Sequence, residues 1–154
     1  MKQLIRHSSH LILVLMMLGC KVQFVPEYNA EIAKQIDATS KMVDKMYLEM
    51  LETTTPEQRD FSKFAKAYVS VEVELNSLLN KNKIRPLNEH SIKITELTLA
   101  KWIKYKEEHK RDFENDGKYA SGNIKINRIY IRDFFNAMIV AENATKIIKQ
   151  EQNQ

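Results

Sequence analysis

Residues at helical spacing constrain the fold of this chain more than any other feature of the sequence. Between residues 28 and 53, steps of four and three connect Ile32, Ile36, Thr39, Val43, Met46 and Met50. This spacing places them all on one face of an α-helix. Lysine, aspartate and glutamate occupy the opposite face, so the segment is predicted to be an amphipathic helix with one buried side.

A second helix is predicted over residues 56–81. In the tetrapeptide Thr55-Pro56-Glu57-Gln58, Thr55 can act as the cap, Pro56 suits the first helical position and Gln58 completes a capping box. The tetrapeptide therefore predicts that the helix begins directly behind Thr55. Its core-facing positions, again in steps of three and four, are Phe61, Phe64, Tyr68, Val71, Leu75 and Leu78.

The third and fourth helices are predicted over residues 88–115 and 123–149, with a turn-rich connection between them. In the fourth, the stripe predicted to face the core is Tyr130, Phe134, Ala137, Ala141, Ala144 and Ile148, with Ile131 and Met138 alongside. The third helix has a broader apolar set: Ile92, Ile94, Leu97, Leu99, Trp102, Ile103, Tyr105 and Phe113. No single stripe holds this set, so the helix either contacts two neighbours or carries an exposed apolar strip. We expect this broad face, around Trp102 and Tyr105, to bind a partner.

Together these segments predict an all-α fold, an up-down-up-down four-helix bundle over residues 28–149. Residues 150–154 are polar and are expected to fray. The chain has only three glycines and three prolines among its 154 residues. This composition disfavours a loop-rich or all-β fold.

The first nineteen residues have the three parts of a secretory signal. Lys2 and Arg6 make a basic start, residues 11–18 are apolar, and Gly19 is a small residue at the cut. The apolar run is shorter than the ~20 residues of a membrane-spanning helix. Cys20, the only cysteine of the chain, follows at once.

The sequence Met17-Leu18-Gly19-Cys20 resembles the lipobox of bacterial lipoproteins, with Gly19-Cys20 as the matching pair. The resemblance implies removal of residues 1–19, a diacylglyceryl group on Cys20 and acylation of the new amino terminus. Residues 20–27 would then be the lipidated anchor and tether. By analogy with enterobacterial lipoproteins, Lys21 points to the outer membrane, facing the periplasm.

The remainder of the chain resembles small helical lipoproteins of Bacteroidetes-type bacteria that have no assigned activity. The features that carry this resemblance are Glu27-Tyr28, Trp102-Ile103-Lys104-Tyr105 and the segment Phe134-Phe135-Asn136-Ala137-Met138-Ile139-Val140-Ala141-Glu142. The resemblance implies a helical fold and an envelope location. It implies no catalytic or binding site.

The charge balance argues against nucleic acid as a partner. Basic and aromatic residues alternate over residues 101–106, and three more basic residues follow at Lys125, Arg128 and Arg132. Loss of Lys2 and Arg6 with the signal leaves 22 basic and 20 acidic residues. A nearly neutral exported chain lacks the strong positive charge that phosphate binding requires.

No catalytic constellation is found in the sequence, so no enzyme activity, catalytic residue or cofactor is predicted. There is no Gly-x-Ser-x-Gly, no Cys–His pair and no glycine-rich phosphate loop. Residues 112–117 resemble the first half of a calcium loop, but Asn123 stands where a bidentate Glu belongs. We therefore favour a helix end closed by Gly117. A haem held by His109 and one of Met42, Met46 or Met50 stays open as an alternative.

These observations favour a non-enzymatic helical module, tethered to an envelope membrane through Cys20, that binds another envelope protein. Two other functions stay open. The core of the bundle could hold a small ligand, a lipid, a haem or a metal, or the protein could be a purely structural component of the envelope.

Overall fold

The structure, a computed structural model, describes residues 25–151, with side chains up to residue 147. The signal and Cys20 lie outside the described residues. The chain forms α1 (Ala30–Thr53), a 3₁₀ turn (Pro56–Gln58), α2 (Phe61–Lys83), α3 (Glu89–Asp116) and α4 (Ser121–Glu151). Over the described range there is no strand, and no helix has the length and apolar character needed to cross a membrane.

The four helices form the predicted up-down-up-down bundle. Each packs against two others: α1 lies between α2 and α4, and α3 lies between the same two helices on the other side. Short connections reverse the chain after each helix, which is the geometry of this topology. The predicted fold class is therefore confirmed.

The predicted core faces of α1 and α2 are also confirmed. All six stripe residues of α1 are buried, together with Tyr47. In α2 the buried set includes the predicted Tyr68, Val71, Leu75 and Leu78, whereas Phe61 and Phe64 are partly buried at its start. Each of these helices presents one apolar face, so periodicity alone determines which side is buried.

The start of α2 differs from the prediction. The Thr55 N–H does donate to Gln58 Oε1 at 2.9 Å, as a capping box requires, but it closes only the 3₁₀ turn. At Arg59 the backbone leaves the helical region, and the side chain turns into the protein interior. α2 then begins at Phe61, where Asp60 Oδ1 accepts a hydrogen bond from the Ser62 N–H at 2.7 Å.

The predicted core stripe of α4 is wrong at Tyr130, Ala137 and Ala144, which are exposed, whereas Ile131 and Met138, predicted alongside it, are buried. The buried residues are Ile124, Asn127, Ile131, Phe135, Met138, Glu142 and Thr145, whereas Tyr130 is 56% exposed. α4 carries two apolar stripes, and the buried one contains three polar residues that all find partners. Asn127 donates to Tyr119 Oη at 3.0 Å, Thr145 donates to the Glu142 carbonyl at 2.7 Å, and Glu142 pairs with Arg85. Burial therefore costs these polar groups little.

α3 buries a narrower stripe than its apolar content predicts. The buried residues are Thr95, Thr98, Trp102, Tyr105 and His109, in alternating steps of three and four. The two threonine hydroxyls donate to carbonyls one turn earlier in the same helix, at 2.7 Å each. Polar residues thus occupy core positions because their hydrogen bonds are satisfied locally.

A buried ion pair organises the end of the bundle at which the chain begins, here called the proximal end. Arg85, between α2 and α3, contacts both carboxylate oxygens of Glu142 at 2.8 and 3.0 Å. It also donates to the Glu27 carbonyl, and Glu142 Oε1 accepts from the Asn29 N–H at 2.6 Å. Pro26 is buried as well. Residues 25–29 are therefore packed against the bundle.

Replacement of Glu142 by alanine is expected to lower the free energy of unfolding by up to about 3–5 kcal/mol, because it leaves the Arg85 guanidinium, whose side chain is only 12% exposed, without its counter-charge. Urea denaturation followed by circular dichroism measures this loss. Asp37→Ala is the matched control, since Asp37 pairs with Lys41 at the surface, and such pairs contribute about 0–1 kcal/mol. Equal losses in the two variants would contradict the role assigned to the buried pair.

Candidate functional site

Trp102 and Tyr105 do not form the predicted partner surface. Trp102 is 0% exposed and Tyr105 is 4% exposed, both in the core-facing stripe of α3. The Trp102 Nε1–H donates to the Tyr68 carbonyl at 3.0 Å, and its ring packs edge-on against Tyr47 with centroids 6.0 Å apart. Burial raises the pKa of Tyr105 to about 12. The prediction of an exposed surface at these two residues is wrong, because their position in the heptad turns them inward.

His109 is a core residue whose two ring nitrogens are both engaged. Nε2 lies 2.8 Å from the Arg59 carbonyl and Nδ1 lies 3.2 Å from Tyr68 Oη, while the ring stacks on Tyr119 at 4.1 Å between centroids. Burial lowers the pKa of His109, which favours the neutral ring. In that form Nε2–H donates to the carbonyl and Nδ1 accepts from the hydroxyl. Neither nitrogen is free to ligate a haem iron.

Residues 112–116 are helical, so they do not adopt the loop of a calcium site. α3 continues to Asp116, and Gly117 closes it with φ +64° and an N–H donated to the Phe113 carbonyl at 2.9 Å. This is the left-handed helix end that glycine favours. Asp112 Oδ2 instead accepts from Asn123 Nδ2 at 3.1 Å. Within the described chain no three His, Cys, Asp or Glu side chains are grouped to hold a metal.

A buried arginine closes the opposite, distal end of the bundle. Arg59 is 2% exposed and donates to the carbonyls of Met50, Thr54 and Tyr119 and to the hydroxyls of Thr54 and Ser121, at 2.9–3.1 Å. Two of these carbonyls lie at the carboxyl end of α1, where the helix dipole favours a positive charge. Arg59 thus ties the end of α1 to the connection between α3 and α4. Its donors are used within the fold, which indicates a structural role.

The interior leaves little room for a ligand beside the proximal ion pair. The cavity there encloses about 10 Å³, which is about the size of one water, and is lined by Ile32, Ile36, Asn82, Ser91, Thr95, Met138 and Glu142. A larger groove of about 250 Å³ lies at the surface between α3 and α4. Two of its charged residues, Arg111 and Asp112, already pair with each other at 3.0 Å.

The second apolar stripe of α4 points away from the bundle. It advances in steps of four and three through seven exposed residues, here called the outer seam: Ile126, Tyr130, Asp133, Ala137, Val140, Ala144 and Ile147. Ile126, Tyr130, Val140 and Ile147 are 53–66% exposed. At 1.5 Å per residue the seam is about 32 Å long.

The outer seam is the candidate functional site of the described chain. A helix that is apolar on two faces normally packs against neighbours on both sides, but α4 has neighbours in the bundle on only one. Contiguous apolar surface marks an interaction site, whereas scattered apolar residues do not. The heptad spacing suits a second helix. Asp133 is the single charged residue in the seam.

Sequence reasoning missed the seam because it assigned Tyr130, Ala137 and Ala144 to the core. The sequence contains a signal that could have revealed it: two interleaved heptad stripes in one helix, of which a four-helix bundle can bury one. No protein-family model, no curated protein and no solved structure matches this chain. What the protein does is therefore inferred from its own residues.

The buried His109 predicts a loss of stability in mild acid. The pKa of His109 is lowered in the folded protein. Below the ordinary value of about 6.5, His109 therefore binds a proton more readily in the unfolded chain than in the folded one. The free energy of unfolding is expected to be fully present above about pH 6.5 and to fall as the pH is lowered through that value.

Urea denaturation between pH 8 and 5 tests this dependence. His109→Gln is expected to be less stable at pH 8 but to lose less stability on acidification. His90→Gln is the control, because His90 is exposed, and it should retain the wild-type dependence. The assignment fails if His109→Gln keeps the wild-type slope.

Proposed function

We propose that the protein is a membrane-anchored envelope lipoprotein that acts as a non-enzymatic module for binding another protein. The anchor is Cys20, supported by the basic, apolar and small-residue parts of the leader. Several acyl chains on one cysteine give durable attachment, because each buried methylene contributes about 0.8 kcal/mol. The anchoring membrane is the outer one, with the bundle facing the periplasm.

The observation that carries the binding function is the exposure of the outer seam of α4. Four of its side chains, Ile126, Tyr130, Val140 and Ile147, are 53–66% exposed. A helix docked along them reaches the lower limit of specific interfaces when it buries about 1,200 Å² in total. The partner is an amphipathic helix of another envelope protein. Because Asp133 is the single charge of the seam, that helix carries a lysine or arginine at the position facing it.

Residue sizes along the seam suit close contact with a helix. Ala137 and Ala144 are small and exposed, which lets a second backbone approach to the 8–10 Å typical of packed helices. Tyr130 is the largest exposed side chain of the seam and serves as an aromatic anchor, the type of residue that contributes most to interface affinity. The seam thus combines a bulky anchor with space for the partner.

Mass spectrometry of the protein isolated from a bacterial envelope tests the anchor. We expect a mature chain that begins at Cys20, with a thioether-linked diacylglyceryl group and an acylated amino terminus. Cys20→Ser should abolish the modification and release the protein from the membrane fraction. An unmodified terminus at another residue would contradict the lipoprotein assignment.

Site-specific photocrosslinking in intact cells tests the seam. A photoreactive residue at Ala137 is expected to form a discrete crosslinked species, and one at Asn76 on the outer side of α2 is not. Val140→Lys should reduce the Ala137 product at least tenfold, because it places an ammonium group in the apolar contact, a desolvation that costs well over 1.4 kcal/mol.

Val73→Lys is the matched control, since Val73 on α2 is 59% exposed and Val140 is 66% exposed. With Val73→Lys, the yield of the crosslinked product from position 137 should equal the yield in the wild type. Asp133→Lys should also weaken the product by reversing the charge that the partner faces. An Ala137 product that survives Val140→Lys and Asp133→Lys would remove the seam as the binding surface.

A further inference from the structure

Two apolar side chains project from the connection between α2 and α3. Ile84 is 83% exposed, more than any other large apolar residue of the described chain, and Leu87 is 46% exposed. They are three residues apart in one short segment, residues 84–88, that joins two helices. Exposed apolar residues at a tip are unfavourable in water and favourable in an apolar or interfacial environment.

The backbone of this connection holds Leu87 in an unfavourable conformation. Leu87 has φ +58°, in the left-handed region that glycine and asparagine adopt far more readily than a branched apolar residue. Hydrogen bonds between two neighbouring side chains, Asn88 and Asn82, hold the backbone in this conformation. Asn88 is 2% exposed and donates to the carbonyl and side-chain oxygens of Asn82 at 3.0 and 3.1 Å. The conformation of the tip, the connection over residues 84–88, is therefore fixed by the fold.

The connection lies at the proximal end of the bundle, beside the start of the described chain. Arg85, the residue after Ile84, donates to the Glu27 carbonyl and pairs with Glu142. Four residues lie between Cys20 and Val25, and the five steps from one to the other span at most about 17 Å. With lipid on Cys20, this end of the bundle would be held within that distance of the membrane surface.

The two cations that flank Ile84 are already paired. Lys83 pairs with Glu96 at 3.6 Å, and Arg85 pairs with Glu142. At the connection itself, the two apolar side chains therefore provide the affinity for the surface.

We propose that Ile84 and Leu87 insert into the headgroup layer of the membrane that anchors Cys20. The inference rests on the proposed lipid anchor and adds a second, non-covalent contact beside it. Both contacts lie at the proximal end, so they hold that end at the membrane surface and leave the distal end pointing away from it. The outer seam of α4 runs between the two ends and is then open to a partner on the same membrane.

A fluorescent label on the full lipidated protein tests the insertion. With Cys20 acylated, Glu89→Cys provides a single free thiol beside the tip, and Lys118→Cys provides one at the distal end. Each is labelled with a polarity-sensitive dye and reconstituted in phosphatidylcholine vesicles that contain a lipid-borne quencher at the headgroup level. Because interfacial residues lie about 5–10 Å below the surface, the label at 89 is expected to shift to the blue and to lose about half its emission or more. The label at 118 should change in neither respect.

The double variant Ile84→Gln/Leu87→Asn keeps side-chain size and suits the left-handed backbone, so its Tm should equal or exceed that of the parent. In this variant the emission of the label at 89 should neither shift to the blue nor be quenched, as is expected for the label at 118. Two outcomes would overturn the insertion alone. In one, the label at 89 in the lipidated parent is as exposed to water as the label at 118. In the other, its blue shift persists in the double variant. An unlipidated Cys20 in the mass spectrum would overturn both the anchor and this inference.

Discussion

The rotation of α4 about its own axis depends on the ion pair between Arg85 and Glu142. A buried carboxylate without a partner costs several kcal/mol, so Glu142 can face the core only where a cation meets it. Arg85 meets it with two hydrogen bonds, and the turn of α4 that results brings Ile124, Ile131 and Phe135 inward. The same rotation leaves the other apolar stripe outside. The ion pair and these three apolar side chains favour the same rotation, which determines both the core and the exposed seam.

This dependence explains how much of the fold could be predicted from sequence. α1 and α2 each have one apolar face, so spacing alone was sufficient. In α4 two stripes compete, and the cation that allows Glu142 to be buried lies 57 positions earlier in the chain. In α3 the core positions include Thr95, Thr98 and His109, whose local or tertiary hydrogen bonds cannot be read from periodicity.

The candidate site was harder to predict than the fold for a related reason. Trp102 and Tyr105 were predicted to bind a partner because the apolar set of α3 is broader than one stripe, but a tryptophan is highly buried on average. The surface features that the structure reveals are the outer seam and the tip at Ile84 and Leu87. Both are made of ordinary aliphatic residues whose significance depends on exposure. Exposure is a property of the packed helices, so the sequence offers only a weak sign of it.

Part of the outer seam has a near-translational symmetry, since Ala137 and Val140 are followed seven residues later by Ala144 and Ile147. A helix lying on such a stripe could slide by about 10 Å and find similar contacts. Asp133 breaks this symmetry, because a cationic side chain opposite it has one position of lowest energy. The single carboxylate of Asp133, together with the aromatic Tyr130 three residues earlier, would therefore select the register of the helix that we propose lies along α4.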